Sequence, residues 1–546
     1  MSIEQGSRIF NSTKEDSVFS NSPIEKLDEN SLICIFKHLS IADLVKVERV
    51  CKSWQVIAKQ SWSKVKKLSM NPKELGLKPL GTMHRYKEIN KDVVESILKR
   101  CGKYLLEIDI LIRNIDGLLL VAKYCKNIQT IDCRNSSVRG INEISENCKN
   151  ISKMRICGID ENEEFEDALG NLILKNRKLR VFELGSYDKI RGDFLLKLPL
   201  DQMENIAVPP IKNSENFINL IKSTKKLSLI DAEEIKIPSE IKTLAISCNN
   251  LIELHLSCYD GIGNINFFDV LDELLSEVFL NNRQLKSLYL GCFDDLTGEC
   301  FLSLNKSIFE ELCLNLTNNI EPEHLFKSFP YFEKFKEFHL SDYEGDDFYN
   351  IAGCLGLCSS LKIIKICDVQ GCSDVSLIKS VSCSKNLENL QFSYLHEEVI
   401  SDKLINFVSY NLPELKILDL YSVKNIFDYH MKLISRLPKL EELNIAYNKN
   451  LTGSGLENLV NIRKLYCWNC INIKDEYMIK LLKCAGKIAR LDVSGCKLIT
   501  NNFINVAIEV TKNRSNNILL EISVKGTNVD IDEIKENSPL LHIYRF

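Results

Sequence analysis

The sequence predicts an α/β solenoid: a horseshoe of stacked strand–turn–helix units preceded by a small all-helical module. Three observations lead there. From Leu105 onward one local pattern keeps returning, two apolar residues three apart and a third two further on. Its copies start about 26 residues apart on average, a period that marks stacked repeats. The segment from Pro23 to Lys67 breaks that period and carries helical spacing instead.

Taken in chain order, residues 1–20 (MSIEQGSRIFNSTKEDSVFS) mix acids, amides and hydroxyls. They lack the basic start and apolar block of an export signal and read as a disordered tail. Residues 21–68 form the helical module. In DENSLICIFKHL, the residues Leu32, Ile35, Phe36 and Leu39 fall on one helix face. In SIADLVKVERVCKSWQVIA, Ser40 and Asp43 have capping-box spacing, and Leu44, Val47, Cys51, Trp54 and Ala58 share one stripe. Two short helices are expected. A unit of about 45 residues is too small to hide so many large apolar groups, so part of them should meet another protein or the adjoining solenoid.

These residues resemble the F-box, a helical module that binds the Skp-type adaptor of cullin-based ubiquitin ligases. The resemblance runs through Leu27, Leu32, Ile35, Phe36, Leu39, Asp43, Leu44, Val47, Val50, Cys51 and Trp54, with Trp62 near the usual end, and VCKSW is its most specific string. Asp28 stands where the family pattern has proline, and it can serve as an N-cap. The resemblance implies that Leu27, Leu32, Ile35, Phe36, Leu39, Leu44, Val47, Val50, Cys51 and Trp54 bind the adaptor. A plain helical cap on the solenoid is the competing reading, since terminal repeats need covering.

Residues 69–100 are expected to be a linker and N-terminal cap, and 101–546 a solenoid of about 17 repeats. The clearest units are Leu361, Ile364, Ile366; Leu387, Leu390, Phe392; Leu415, Leu418, Leu420; Leu440, Leu443, Ile445; and Ile488, Leu491, Val493. Weaker copies start at Leu105, Ile128, Ile151, Leu179, Met203, Thr224, Leu251, Leu285, Phe309, Phe335, Ile462 and Leu519. The period-two part, such as Leu418 and Leu420, suits a short strand with one buried face. Stretches between, such as NIFDYHMKLISRLPKL, space Ile426, Met431, Ile434 and Leu437 as a helix does. One such unit cannot bury its own apolar side, so units must stack, strands inside and helices outside.

Cys101, Cys125, Cys148, Cys248, Cys358, Cys383 and Cys484 recur just ahead of the expected strands. Cys258, Cys292, Cys470 and Cys496 follow them, with Asn448 at the equivalent place. Small, weakly polar side chains at fixed phase suit a tight buried turn. The arrangement resembles the cysteine-containing class of leucine-rich repeats, with SGCKLIT at 494–500 the most family-like string. Cys467 and Cys470 have zinc-knuckle spacing, but no second pair follows and repeat phase accounts for both, so no metal is expected.

Composition narrows the function. Seventy basic against 74 acidic residues leave a net charge of −4, without the broad positive field that nucleic acid requires. No apolar run approaches the roughly 18 to 20 residues of a membrane span; the longest, near Gly117 to Ala122, is far shorter. Without an export signal the 21 cysteines are expected to stay reduced, in cytoplasm or nucleus. No phosphate loop, GxSxG or HExxH motif occurs, so a catalytic role is not expected.

For an F-box protein, the resemblance implies that the helical module ties the chain to the ligase while the repeats hold a protein target, with no cofactor. Substrate-facing candidates are Tyr421, Tyr447 and Trp468 just past the strands, aromatics taken to lie at one phase, together with Arg463, Tyr466 and Arg490 on the inner wall. The alternative is a leucine-rich scaffold that binds a partner without ubiquitin transfer. The 34-residue unit from Leu251 to Leu285, lengthened between Tyr259 and Phe268, is the largest excursion from the period. No basic pocket for a phosphate co-ligand is legible in the spacing.

Overall fold

The computed structural model describes residues 27–70, 75, 91–110, 116–158, 163–185, 190–235, 239–258, 270–395, 401–423, 425–534 and 536–545. The tail at 1–20, Pro23, most of the linker and the lengthened stretch from Tyr259 to Phe268 lie outside them. Nineteen strands among the described residues, β1 (Lys67–Ser69) to β19 (Leu541–Tyr544), form one parallel sheet. Pairing runs from each strand to the next: Leu418 sits opposite Leu443, Leu443 opposite Leu465, and Leu465 opposite Leu491. Strands stack about 4.8 Å apart, whereas the helices behind them need 8–10 Å. The sheet therefore becomes the inner wall and the helices the outer, as the period requires.

The sheet begins ahead of the expected solenoid, and inside it runs past the last expected repeat start at Leu519. β1 pairs with β2 (Glu107–Ile110), so the wall begins ahead of residue 101. At the far end β19 pairs with β18 (Leu520–Ser523). Two expected phases are corrected. In the unit placed at Thr224 the buried ladder residues are Leu227, Ile230 and Ala232, while Thr224 closes the preceding helix by donating to the Leu220 carbonyl at 3.1 Å. Leu519 is exposed, and Leu520 takes the buried place beside Ile522.

The position three residues ahead of each first apolar is where the cysteine phase is decided. Cys125, Cys148, Cys248 and Cys358 occupy it and are buried. Asn176 and Asn282 fill it elsewhere: the Asn282 amide donates to the Cys248 and Val278 carbonyls and its oxygen accepts from Leu251 N–H at 2.8 Å. Cys383 and Cys484 miss it by one residue and are exposed, leaving Ser384 and Ala485 in the buried place. Past the strands, Asn448, Cys470 and Cys496 bond to carbonyls of the preceding turn. Cys258 and Cys292 fall one residue short and are only half-buried.

From Cys292 through Leu316, Asp342, Asp368, Tyr394, Ser422, Tyr447 and Asn469 to Gly495, the residue two past the last strand apolar has a left-handed φ. Non-glycine residues bear a local cost there, of order 1 kcal/mol each. The stack compensates it with a bond to the next unit, for example Tyr447 N–H to the Trp468 carbonyl at 2.9 Å and Ser422 N–H to the Ala446 carbonyl at 2.9 Å.

A second device ties unit to unit on the outer side. Asp272, on the first turn of helix Leu271–Asn281, accepts from Thr297 N–H and hydroxyl, both at 2.9 Å, Gly298 N–H at 3.1 Å and Cys300 N–H at 2.9 Å. Asp428 does the same for Thr452 and Gly453, and Asp475 for Thr500. Each carboxylate meets backbone donors that a buried turn would otherwise leave unpaired.

His430 plays a related part on helix Asp428–Ile434. Its Nδ1 accepts from Phe427 N–H at 3.1 Å and its Nε2 contacts Asp402 Oδ1 at 2.9 Å, so both nitrogens are committed in the neutral ring, which is 1% exposed. Asp402 and the Tyr429 hydroxyl bonded to it are the titratable groups in contact. Burial pushes the His430 pKa down more than Asp402 raises it, and burial with Lys365 nearby lowers that of His339. A histidine whose folded pKa is depressed contributes stability that is complete above its unfolded value of about 6.5 and is lost as pH falls below it. Denaturation midpoints are therefore expected to be flat above that value and to decline below it. His430→Gln should flatten part of the decline, and an unchanged slope would show that His430 does not contribute.

Candidate functional site

The helical module contains three helices, α1 (Glu29–Phe36), α2 (Ile41–Val47) and α3 (Lys52–Trp62), not two. The second expected helix breaks at 48–50 because Cys51 is extended and acts as N-cap, its sulfur accepting from Trp54 N–H at 3.5 Å. Cys51 is thus exposed at a helix start and is not part of a buried stripe. Asp28 caps α1 through Ser31 N–H at 2.7 Å, a bond that holds its carboxyl below the usual range. The Ser40 hydroxyl, accepting from Asp43 N–H at 3.1 Å, starts α2.

The ten adaptor candidates divide into three groups. Leu32, Phe36 and Leu44 are buried and build the module's own core with Ile57, Ala58 and Trp62. Leu39, Val47 and Trp54 are half-buried, with Trp54 edge-on to Phe36 at 5.2 Å between centroids. Leu27, Ile35, Val50 and Cys51 face outward, Ile35 being 41% and Val50 60% exposed. The helical pattern missed Val56, 53% exposed on α3. Together with Ile33 and Cys34 it lines a hollow of about 710 Å³ between α1 and α3. No internal period signals it, since it belongs to the face a helical stripe would assign to water.

Glu48 fixes this module to the solenoid. It accepts from the indole N–H of buried Trp62 and from Arg100 Nε at 2.9 Å, and Arg100 lies on the first outer helix, Lys91–Cys101. The pair is mostly shielded from water, so its geometry matters more than that of a surface ion pair. The Ala42 N–H to Leu75 carbonyl bond, 2.8 Å, adds a second tie.

At the other end of the molecule, Tyr421, Tyr447 and Trp468 do come together, joined by Tyr394. Centroid separations are 4.6 Å for Tyr394–Tyr421, 5.3 Å for Tyr421–Tyr447, 5.4 Å for Tyr421–Trp468 and 4.6 Å for Tyr447–Trp468. The expectation of one phase is corrected. Tyr394 and Tyr447 take the left-handed position, and Tyr421 and Trp468 the residue before it, so rings of successive units interdigitate. Tyr394 and Tyr447 remain well exposed. Partial burial and the contact with Tyr394 raise the Tyr421 hydroxyl pKa, keeping it a neutral donor. The arrangement is a pre-packed aromatic ridge, able to cover apolar partner surface with little further ordering.

The other inner-wall candidates sit apart from the ridge. The Arg490 guanidinium lies 5.7 Å from the Tyr466 ring centroid, and Arg463 is held by Glu441 at 3.3 Å. Cys467 and Cys470 donate to the Asp492 and Ile445 carbonyls, at 3.2 and 3.0 Å, and burial pushes the Cys470 thiol up to about 12. Both thiols thus serve the turn as neutral donors.

Known proteins supply two kinds of likeness. Solved structures similar to this chain include a TLR13–ssRNA13 complex, at TM-score 0.42 and 11% identity over 82% of this chain and 60% of that one. Another is an internalin from Listeria monocytogenes, at TM-score 0.33 and 14% identity over 65% of this chain and 89% of that one. The chain thus spans 60% of the length of the first. No curated protein matches. Residues 29–67, which enclose α1 to α3 and the start of β1, match the F-box-like family model, so the chain joins an F-box-like domain to a leucine-rich-repeat solenoid.

Proposed function

We propose that this chain is the substrate-recognition subunit of a Skp–cullin–F-box ubiquitin ligase. The observation that carries the reading is a division of surfaces. A folded F-box-like module exposes Ile35, Val50 and Val56, while an aromatic ridge is exposed some 15 units along the same rigid wall. The module would hold a Skp-type adaptor and through it a cullin, and the repeats would hold a protein target. Ubiquitin transfer would be promoted by raising the effective concentration of a target lysine near the charged conjugating enzyme, with no bond made or broken by this chain. Its role is that of a non-catalytic receptor leading the target to proteasomal degradation. The buried cysteines and asparagines of the turns support placing the repeats in the cysteine-containing class. Cysteines of the described residues that form no disulfide suit a reducing cytoplasm or nucleus.

Capture of a Skp-type adaptor by the purified chain tests the first half. A scaffold that works without ubiquitin transfer would not retain the adaptor, so failure of capture favours that alternative. For the second half, Tyr447→Ala combined with Trp468→Ala is expected to weaken target binding at least about thirtyfold, as loss of central aromatic anchors does. Adaptor capture should be unchanged. Target affinity measured against the parent chain checks this, and equal affinity would place the receptor surface elsewhere.

A further inference from the structure

Beside the aromatic ridge runs a row of wall residues in one register: Asp419 sits opposite Asn444, Asn444 opposite Tyr466, and Tyr466 opposite Asp492. The two carboxylates of this row are half-buried and bonded to neutral groups. Asp419 accepts from Tyr421 N–H at 2.9 Å and from the Asn444 amide at 3.0 Å, and Asp492 accepts from Ser494 N–H at 3.0 Å. Among the described residues no cation lies within ion-pair distance of either. Those on the adjoining rim are already engaged, Lys464 with Glu442 at 2.8 Å and Arg490 over the Tyr466 ring at 5.7 Å. Burial pushes the Asp419 pKa up, and the two hydrogen bonds counter it only in part. A carboxylate held there lacks a counter-charge.

Asp419 stands two residues before Tyr421, and Asp492 one strand beyond Tyr466, itself two residues before Trp468. At both places an aromatic ring and an unanswered negative charge lie side by side. Neighbouring ring centroids of the ridge are 4.6 to 5.4 Å apart, so the rings touch and leave no gap that could enclose a compact ammonium. A planar guanidinium needs no gap, because it stacks on an outer ring face while its N–H groups reach a carboxylate. Three strand steps of about 4.8 Å put Asp419 and Asp492 about 14 Å apart. Residues four apart in an extended chain span about the same distance and point to one side. We propose that the ridge and this row together take an extended segment of the protein target that carries two arginines four residues apart.

Charge decides against the other segments that could cover an aromatic surface. An acidic segment would bring like charge onto Asp419 and Asp492, with Lys464 and Arg490 already engaged. A proline-rich segment would stack on the rings but shut the two carboxylates away from water without a partner, and burying an unpaired charge is costly. Arginine meets both demands with one side chain. The proposal rests on the reading that the repeats hold a protein target, and it deepens that reading by naming the class of segment held.

The test is calorimetric titration of the full chain with the capped peptide Arg-Ala-Ala-Ala-Arg and three counterparts. These are the same peptide with citrulline at both ends, the shorter Arg-Ala-Ala-Arg, and Pro-Pro-Ala-Pro-Pro. The first peptide should bind saturably, at least about tenfold tighter than the citrulline peptide, and weaken as salt is raised. It should also exceed Arg-Ala-Ala-Arg by about threefold or more, since arginines three apart point to opposite sides of an extended chain. Asp419→Asn combined with Asp492→Asn keeps the side-chain shapes and the bonds from Tyr421 and Ser494 N–H, so this variant should melt with the parent. Its affinity for the first peptide should fall about tenfold or more, as expected when two charge-assisted bonds are lost. Glu146→Gln combined with Glu323→Gln, two exposed acids elsewhere, should leave that affinity unchanged. No saturable binding, equal binding of the citrulline or the shorter arginine peptide, equal binding by the double asparagine variant, or tighter binding of the proline peptide would each overturn the proposal. Adaptor capture is a separate readout: its absence in the parent chain would refute the receptor reading and leave the arginine site standing, whereas capture without arginine binding would refute the site alone.

Discussion

A chain carrying Ile35→Asp and Val50→Asp is expected to lose at least about a hundredfold in affinity for a Skp-type adaptor, while its melting transition stays with that of the parent. Both side chains already face water, so aspartate there costs the folded chain little. At an interface each would bring an unpaired carboxylate against apolar partner surface, which alone exceeds about 2 kcal/mol. Phe36→Ala should also lose capture, for a different reason. Phe36 is buried against Trp54, and its removal opens a cavity costing about 3–5 kcal/mol in a module with little core to spare. The two losses separate by hydrogen exchange of α1 to α3, protected in the first variant and open in the second. Retained capture by the double aspartate variant would remove Ile35 and Val50 from the docking surface.

Asp272→Ala is expected to be the most damaging single change on the outer side of the solenoid, at about 4 kcal/mol. The lost carboxylate leaves the buried N–H groups of Thr297, Gly298 and Cys300 without an acceptor, and each unsatisfied donor costs about 1–3 kcal/mol, partly recovered by relaxation. Because a repeat array opens locally, the effect should concentrate in the flanking units. Hydrogen exchange should accelerate most across residues 293–304. Asp272→Asn keeps the shape and one acceptor, so about half the loss is expected. Protection equal to the parent in the alanine variant would mean that the turn finds other acceptors and that the clamp contributes nothing.

How much of this was legible beforehand follows from which interactions are periodic. The pattern from Leu361 to Val493 specified the ladder because a parallel stack repeats one environment, and apolar residues report it directly. The phase slipped at Thr224 and Leu519, where polar or doubled residues blur the pattern and only pairing with the neighbouring strand decides which side chain turns inward. The same holds for Cys383 and Cys484: one residue of offset, invisible in spacing alone, separates a buried turn from open water. In the helical module the amphipathic stripe located the helices but joined α2 to α3. A cysteine can lie on a stripe or cap a helix, and the backbone at Cys51 chose the second.

The amino-acid sequence by itself determined that this chain is a parallel stack with a helical module in front, and that aromatics gather in its C-terminal third. Those properties depend on burial repeated at a fixed interval, which a linear pattern records. Which apolar side chains of the module stay in its core and which face outward, and how Tyr394 joins Tyr421, Tyr447 and Trp468, were decided only by tertiary structure. Each depends on neighbours about one repeat away, across the stack or between helices, and charge and exposure at a point are set by all the groups that converge there.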